Sequence, residues 1–371
     1  MKRKKSLPTP TLLGRVSQEK YFLILILAVF ILSALFYGQP QIAMWIGFFT
    51  AAYATVSNDS IQSLGTFIES NKDKKWYWLW LFTGTIFLVT VTISWVMYDG
   101  DVTYKRLLDP ETGLSNYPHP DNFSFLILMA PLVLLILTRL KMPVSTTFLM
   151  LSVFSSSSKG ITTMISKSVS GYFIAFIVSA LVWYFGYNYI KKKFKSRKVH
   201  PMWMVAQWLV SGTLWAVWVM QDGANIAVFL PRKLDGLQFG IFSAAIFIGL
   251  GLLFFLRGDK IQEVVSEKVR ISDIRAATLV DFTYALILVY KLFISTVPMS
   301  TTWIFLGLIG GREIAINLAR LKKGKKHKKK ALRMIGKDFL FAAIGLTISL
   351  ILAASVNAAI RNDLMIFLGL K

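Results

Sequence analysis

The chain alternates between long apolar stretches and short polar connections over most of its length. The apolar stretches cover residues 21–37, 41–69, 76–98, 123–139, a segment after Pro143, 167–190, 203–231, 237–256, 276–293, a segment after Pro298, and 336–360. Several of them reach the ~20 residues that a helix needs to cross a bilayer. Because they are continuous rather than alternating residue by residue, they predict membrane helices and not barrel strands.

The basic residues lie in the connections and predict how the chain threads the membrane. The connections at residues 1–5, 72–75, 191–198 and 312–333 each carry a net positive charge, whereas the connection at residues 99–122 is acidic. The positive-inside rule places the basic stretches in the cytoplasm and therefore the acidic one outside. This arrangement requires an odd number of passes in the first half. The second half then begins on the opposite face, which predicts an inverted repeat.

The composition of the chain excludes several kinds of partner and functional site. Of 371 residues, 55% are apolar, 16% are charged, and the net charge is +23. In a soluble protein that charge would suggest nucleic acid, but here it sits between membrane spans, so no nucleic-acid partner is expected. The absence of cysteine excludes disulfides and thiolate chemistry. The three histidines fall in predicted loops, which excludes histidine relays within the membrane: His119, His200 and His327.

Two polar motifs recur in the same order in the two halves. The first pair is Asn58-Asp59-x-x-Gln62 and Gln221-Asp222-x-x-Asn225; the second is Pro143-Val144-Ser145-Thr146-Thr147 and Pro298-Met299-Ser300-Thr301-Thr302. The members of the first pair are 163 positions apart and those of the second 155. A duplicated half with polar interruptions at matching places predicts the binding site of a secondary transporter.

The motif residues indicate what such a site binds. A charge near the bilayer centre costs at least ~2.5 kcal/mol, so Asp59 and Asp222 need partners. Neither motif contains Lys or Arg, which favours Na⁺ or a proton. We expect helix breaks at both aspartates, with Asp59-x-x-Gln62 as a capping box, and N-caps at Ser145 and Ser300. Four helix N-termini meeting in the membrane would bind an oxyanion. The motifs therefore predict cation-coupled oxyanion symport.

Each polar element also has a simpler interpretation when taken alone. A Ser-Thr-Thr run in a membrane helix often only bonds its own backbone, and a single intramembrane Asp can be structural. Repetition of both elements in one order favours the site. Asp281 is either a cation relay or a hydrogen-bonding group at a helix boundary. The basic residues 322–330 are either a topology anchor or an anionic-lipid site.

The motifs resemble those of the inorganic phosphate transporter family. Its members carry a G-A-N-D-V-A-N-type and a P-V-S-T-T-H motif in each inverted half, and the resemblance covers about residues 41–360. The matching positions are Asn58, Asp59, Gly65, Thr66, Pro143, Ser145, Thr146, Thr147, Pro298, Ser300, Thr301 and Thr302. This chain departs from the family at Gln62 and Gln221, which replace asparagines, and at Phe148 and Trp303, which stand where the family often has His.

The resemblance implies that the motif residues surround phosphate and sodium. The predicted substrate-binding residues are Gln62, Ser145, Thr146, Thr147, Asn225, Ser300, Thr301 and Thr302. The predicted cation-binding residues are Asn58, Asp59, Gln221 and Asp222, with the two aspartates as Na⁺ ligands. No catalytic residue is expected, and no cofactor apart from Na⁺ or H⁺ as coupling ion.

The combined prediction is an all-α polytopic membrane protein, an inverted-repeat transporter with discontinuous helices and about 11 passes. Its parts are an N-terminal region with an extra span (1–40), two repeats (41–190 and 203–360), a basic linker (191–202) and a tail (361–371). It would import inorganic phosphate across a bacterial cytoplasmic membrane, with its N-terminus inside. A homodimer is left open.

Three alternatives remain. One is a permease for sulfate or another oxyanion with the same fold. Another is a membrane sensor or scaffold that does not transport. The third is an intramembrane enzyme acting on lipid phosphates, which is disfavoured because two aspartates without a neighbouring His, Cys or Lys make a poor hydrolytic set.

Overall fold

The computed structural model describes residues 19–108, 117–140, 142, 144–194, 199–255, 273–294, 297–319, 325–367 and 369. Several predicted features lie outside these described residues. They are the basic N-terminus, part of the acidic connection, Pro143, residues 195–198 of the linker, residues 320–324 of the basic stretch at 312–333, and residues 370–371 of the tail.

Within the described residues every regular element is a helix. They are α1 (Lys20–Phe36), α2 (Pro40–Ser63), α3 (Gly65–Ser70), α4 (Trp76–Met97), α5 (Phe125–Arg139), α6 (Thr146–Phe154), α7 (Ser158–Phe194), α8 (Met202–Ala227), α9 (Gly236–Phe255), α10 (Ile274–Ile294), α11 (Thr301–Ala319), α12 (Lys325–Val356) and α13 (Ala358–Phe367). The all-helical prediction is confirmed for this part of the chain.

Six helices in the described ranges are long and apolar enough to cross a membrane. They lie in α4, α7, α8, α9, α10 and α12. Large apolar side chains on these helices point outward, among them Phe185, Leu209 and Leu237. Polar side chains of both repeated motifs are buried inside instead. Apolar groups outside and polar groups inside are what a bilayer requires, so the chain is a polytopic helical membrane protein.

The expected helix breaks at the two aspartates are wrong. Helix α2 runs through Asp59 to Ser63 and is interrupted only at Leu64, and α8 runs through Asp222 to Ala227. The capping box at Asp59 therefore does not form. Asn and Asp favour caps when their side chains bond to the local backbone. Here both aspartates bond to side chains of other elements, so the helices continue through them.

The Ser-Thr-Thr segments do begin helices, as predicted. Ser145 Oγ accepts a hydrogen bond of 3.1 Å from Phe148 N, and Ser300 Oγ accepts one of 3.3 Å from Trp303 N. Helix α6 has only 9 residues, roughly 14 Å, and is too short to cross a bilayer. Of the four helix N-termini expected at the motifs, the described residues contain these two.

Contacts between the helices occur in pairs that correspond when the two halves are exchanged. Helix α2 packs on α5 as α8 packs on α10, and α4 packs on α8 as α9 packs on α2. Likewise α7 packs on α11 and α12 packs on α6, so each of the two helices that follow a Ser-Thr-Thr motif packs on a long helix of the other half. Helices α2 and α8 also contact each other. The two motif-bearing helices are therefore neighbours at the centre.

Two glycines on α11 allow the closest of these contacts. A Cβ atom at Gly307 would lie 2.2 Å from Tyr172 O, and one at Gly311 would lie 2.1 Å from Phe176 O. We expect Gly311→Ala to push α7 and α11 apart and to lower the free energy of unfolding by about 1–3 kcal/mol. Thermal aggregation of the detergent-purified protein, followed by size-exclusion chromatography, measures this.

The neighbouring glycine supplies the control. A Cβ atom at Gly310 would lie 3.4 Å from the Phe176 ring, an ordinary contact with a side chain. Gly310→Ala adds the same methyl group to the same helix and should aggregate at the wild-type temperature. Equal effects of the two substitutions would contradict the close-packing explanation.

Candidate functional site

All twelve predicted site residues are buried in the structure. They are Asn58, Asp59, Gln62, Ser145, Thr146, Thr147, Gln221, Asp222, Asn225, Ser300, Thr301 and Thr302. The beginning of α6 lies between the two aspartates. Thr146 Oγ1 donates to Asp59 Oδ1 at 2.7 Å, and Thr147 Oγ1 donates to Asp222 Oδ1 at 3.2 Å. Two consecutive hydroxyls thus connect the carboxylates of the two halves.

Asn58 holds Asp59 in place. Its Nδ2 donates to Asp59 Oδ1 at 2.7 Å, to Val144 O at 3.0 Å and to Thr146 Oγ1 at 3.0 Å. Its own Oδ1 accepts a hydrogen bond of 3.1 Å from Thr138 Oγ1 on α5. Asn58 therefore ties α2 to α5 and to the beginning of α6, and both ends of its amide are used.

Asn225 does the same for Asp222. It lies one turn later on α8, and its Nδ2 donates to Asp222 Oδ1 at 2.9 Å and to Thr147 Oγ1 at 3.3 Å. The Thr301 hydroxyl also approaches this carboxylate. In each half the asparagine positions the aspartate, although it precedes Asp59 in one motif and follows Asp222 in the other.

Five buried oxygens of the two Asp motifs have no hydrogen-bonding partner among the described residues. They are Asp59 Oδ2, Gln62 Oε1, Gln221 Oε1, Asp222 Oδ2 and Asn225 Oδ1. The two carboxylates are also close enough for their charges to repel each other. Buried acceptors without donors are costly. Because every one of these atoms is an oxygen acceptor, the arrangement suits a hard cation such as Na⁺, which takes oxygen ligands.

The N-termini of α6 and α11 meet at this site through reciprocal contacts. Thr147 Oγ1 approaches Met299 O at 3.4 Å, and Thr302 Oγ1 donates to Val144 O at 3.3 Å. These four residues occupy equivalent positions in the two Ser-Thr-Thr motifs. The rings of Phe148 and Trp303, the residues that follow each motif, pack edge to face with centroids 5.9 Å apart. The two helix beginnings are therefore held together in a nearly two-fold arrangement.

Part of the acidic connection folds back onto the site. The Val102 carbonyl lies 3.9 Å from where a Cβ atom of Gly223 would be, directly after Asp222 on α8. Arg106, in the same connection, is only 2% exposed and interacts electrostatically with Asp222. Arg106 lies outside both repeated motifs and was not among the predicted site residues. A signal was present, because residues 102–108 read V-T-Y-K-R-L-L, which is apolar and basic within an acidic connection.

Comparisons of the chain with known proteins leave its family open. No family model, curated protein or solved structure matches it. The resemblance of its motifs to the inorganic phosphate transporter family stays a prediction. Function has to follow from the side-chain contacts themselves.

Asp281 differs from the two site aspartates because both of its oxygens have partners. Thr66 Oγ1 donates to Oδ1, and Ser211 Oγ donates to Oδ2 at 2.6 Å. This carboxylate therefore joins α3, α8 and α10. We expect Asp281→Leu, which leaves two buried hydroxyls without their acceptor, to lower the free energy of unfolding by about 1–3 kcal/mol. Thermal aggregation in detergent measures the loss.

The isosteric variant separates the two interpretations of Asp281. Asp281→Asn keeps one acceptor oxygen and the shape, and we expect uptake by this variant to stay within about twofold of wild type. A structural role requires that result. Abolished uptake by a stably folded Asp281→Asn would instead establish the cation relay.

Proposed function

We propose that the protein is a secondary transporter that imports inorganic phosphate together with Na⁺ or H⁺ by alternating access. The observation that carries this proposal is the set of five unpartnered oxygens on Asp59, Gln62, Gln221, Asp222 and Asn225. They come from both halves and lie beside two helix N-termini. Acceptors that need a cation, next to donors that need an anion, are what a cation–oxyanion symporter requires.

The cation binds first in this mechanism. Two buried carboxylates that repel each other are unfavourable without positive charge. Na⁺ at the free oxygens of Asp59 and Asp222, with the glutamine oxygens as further ligands, supplies that charge. A proton on either carboxylate supplies it in the H⁺-coupled version. Gln62 and Gln221 extend one methylene further than the family asparagines and bring their oxygens into this ligand set.

The anion then binds at the beginnings of α6 and α11. Backbone N–H groups at a helix N-terminus and its partial positive charge favour an oxyanion. In the structure the hydroxyls of Thr146 and Thr147 donate hydrogen bonds to the two carboxylates. A cation on the carboxylates removes their need for these donors, and the hydroxyls are free to turn toward the oxyanion. Cation binding thus creates the anion site, which couples the two fluxes.

The paired helix contacts support an inverted repeat of about 11 passes. The contacts of one half reappear in the other, and Thr147 and Thr302 each reach the carbonyl that precedes the opposite motif's serine. Such repeats allow one site to face either side of a membrane by exchanging the conformations of the halves. In this proposal the N-terminus lies in the cytoplasm of a bacterial cell, which the positions of the basic loops support.

Uptake into proteoliposomes tests this proposal. The purified protein is reconstituted into liposomes, and a Na⁺ gradient, a pH gradient or neither is imposed across their membrane. The uptake of radiolabelled phosphate is then followed. We expect uptake that depends on one gradient and competes with unlabelled phosphate more strongly than with sulfate. Stronger competition by sulfate would assign the site to sulfate. Phosphate binding without flux would indicate a sensor, and absence of both binding and flux would reject an oxyanion site.

A further inference from the structure

The connection between α4 and α5 forms an ordered, hydrogen-bonded turn where it approaches the site. Asp101 Oδ1 accepts hydrogen bonds from Thr103 N at 2.7 Å and Thr103 Oγ1 at 2.6 Å, and Asp101 Oδ2 accepts one from Lys105 N at 2.6 Å. Tyr104 and Lys105 have φ angles of 53° and 59°, a left-handed conformation that non-glycine residues rarely adopt. The bonds to the Asp101 carboxylate hold these two residues in that conformation.

The same connection is fastened to α4. Tyr104 OH donates to Thr90 O at 2.7 Å. Ser94 Oγ donates to Asp101 O at 2.8 Å and accepts from Tyr104 N at 3.0 Å. Because this turn is held by so many hydrogen bonds, it fixes the direction of the side chain that follows Lys105, which is Arg106.

Two adjacent basic residues have opposite surroundings at this turn. Lys105 is exposed, and its ammonium group lies 5.1 Å from the centre of the Tyr98 ring. Arg106 is buried, and its charge acts on Asp222 of α8 and on Lys167 of α7. Burial lowers the pKa of Arg106 to about 10, and the Asp222 charge opposes that shift. The guanidinium therefore stays charged at neutral pH.

A buried guanidinium is expensive unless an anion is near. The proposed site holds two carboxylates and takes up an oxyanion, so it gathers at least three negative charges. Cations on the carboxylates offset two of them. An arginine also matches an oxyanion geometrically, because its N–H groups form a planar fork that bonds two oxygens at once.

Resting on the proposed function, we propose that Arg106 is a substrate-binding residue of this site, a fixed positive charge that acts on Asp222 and binds the oxyanion once the coupling ion is in place. The coupling cation competes with the guanidinium for Asp222. Once a cation neutralises Asp222, the charge of the guanidinium attracts the oxyanion beside the N-termini of α6 and α11. Arg106 thereby favours an anion with two oxygens that can accept hydrogen bonds from the guanidinium, and it takes part in coupling anion binding to cation binding.

Opposite effects on the two ligands test this role. In Arg106→Gln, the concentration of phosphate that gives half-maximal uptake should rise at least about tenfold, because charge-assisted hydrogen bonds are lost. The half-saturating concentration of the coupling cation should fall, because a competing positive charge has been removed. A variant that merely damages the fold would weaken the affinity for both. Arg106→Lys keeps the charge but not the fork, and should give an intermediate phosphate affinity.

Lys105→Gln is the matched control. It removes the same charge from the adjacent residue of the same turn, but from an exposed side chain, and both affinities should stay within about twofold of wild type. The inference is overturned if Arg106→Gln behaves like Lys105→Gln, or if both ligands bind Arg106→Gln less tightly. If Arg106→Gln does not fold, the phosphate affinity of Arg106→Lys decides: wild-type affinity overturns the inference. Failure of the wild-type protein to take up any oxyanion would count against the proposed function instead.

Discussion

Asparagine in place of Asp222 is expected to abolish oxyanion uptake driven by the coupling ion, and Asp59→Asn should do the same. Each substitution keeps the side-chain volume but removes the charge, and it can place an N–H group where the free carboxylate oxygen stands. A cation that loses a carboxylate ligand in a buried site loses several kcal/mol of binding free energy. Because 1.4 kcal/mol is a factor of ten in affinity, we expect a decrease of at least about 100-fold. Initial uptake rates in proteoliposomes measure it.

Stability should move in the other direction for these variants. Without a bound cation the two carboxylates repel each other, so removing one charge relieves repulsion and desolvation. We expect Asp59→Asn and Asp222→Asn to aggregate at or above the wild-type temperature. Asp281→Asn is the control, since it makes the same change at a buried carboxylate whose oxygens already have partners.

Robust ion-driven uptake by Asp222→Asn would refute the cation site.

Loss of the Thr147 hydroxyl should have the next largest effect. It donates to Asp222, accepts from Asn225 and approaches Met299 O, so it links α6, α8 and the beginning of α11. Thr147→Val keeps the shape and removes all three contacts, and we expect uptake to fall at least about tenfold. Thr147→Ser keeps the hydroxyl and should retain most of the activity. The measurement is again the initial rate of phosphate uptake.

Two comparisons sharpen this experiment. Thr162→Val removes an exposed hydroxyl of α7 that donates to Ser158 O of the same helix, and it should transport like wild type. Thr147→Val combined with Asp222→Asn should bind the coupling ion no more weakly than Asp222→Asn alone, because both substitutions disturb one shared contact. Additive losses in binding free energy would show that Thr147 acts independently of Asp222.

The parts of the structure that depend on local chemistry were predictable from the sequence. Continuous apolar stretches predicted the helices, since a membrane helix must satisfy its backbone within itself. Ser145 and Ser300 were predicted as N-caps because capping depends on a side chain and the backbone three residues later. Both caps are present in the structure.

The parts that depend on distant partners were not predictable. The breaks expected at Asp59 and Asp222 assumed that these side chains hydrogen-bond to their own backbone. In the structure they accept hydrogen bonds from Thr146 and Thr147 instead. The different roles of the amides were also hidden. The order of residues in the motifs places Asn58 opposite Gln221, but the asparagines position the carboxylates in both halves and the glutamines leave oxygens free.

The connection at residues 99–122 shows the limit of charge counting. Its net acidity predicted that it lies outside the cell, and no summed charge could indicate that Arg106 is buried. The turn that buries it depends on three hydrogen bonds to Asp101 and on two residues in a left-handed conformation. Such a turn is a property of specific side chains rather than of composition.

The exchange of partners between the halves has a consequence for how the protein is made. Helix α6 packs on α12, and α7 packs on α11, so each half supplies one long helix that the Ser-Thr-Thr helix of the other half packs on. During synthesis the first half enters the membrane before α12 exists, so the face of α6 that packs on α12 stays without this helix until the last long helix has been inserted. A ribosome that stops before residue 325 leaves an assembly without that helix. The first half therefore cannot finish the surroundings of the site by itself, and α12 of the second half has to be inserted before they are complete.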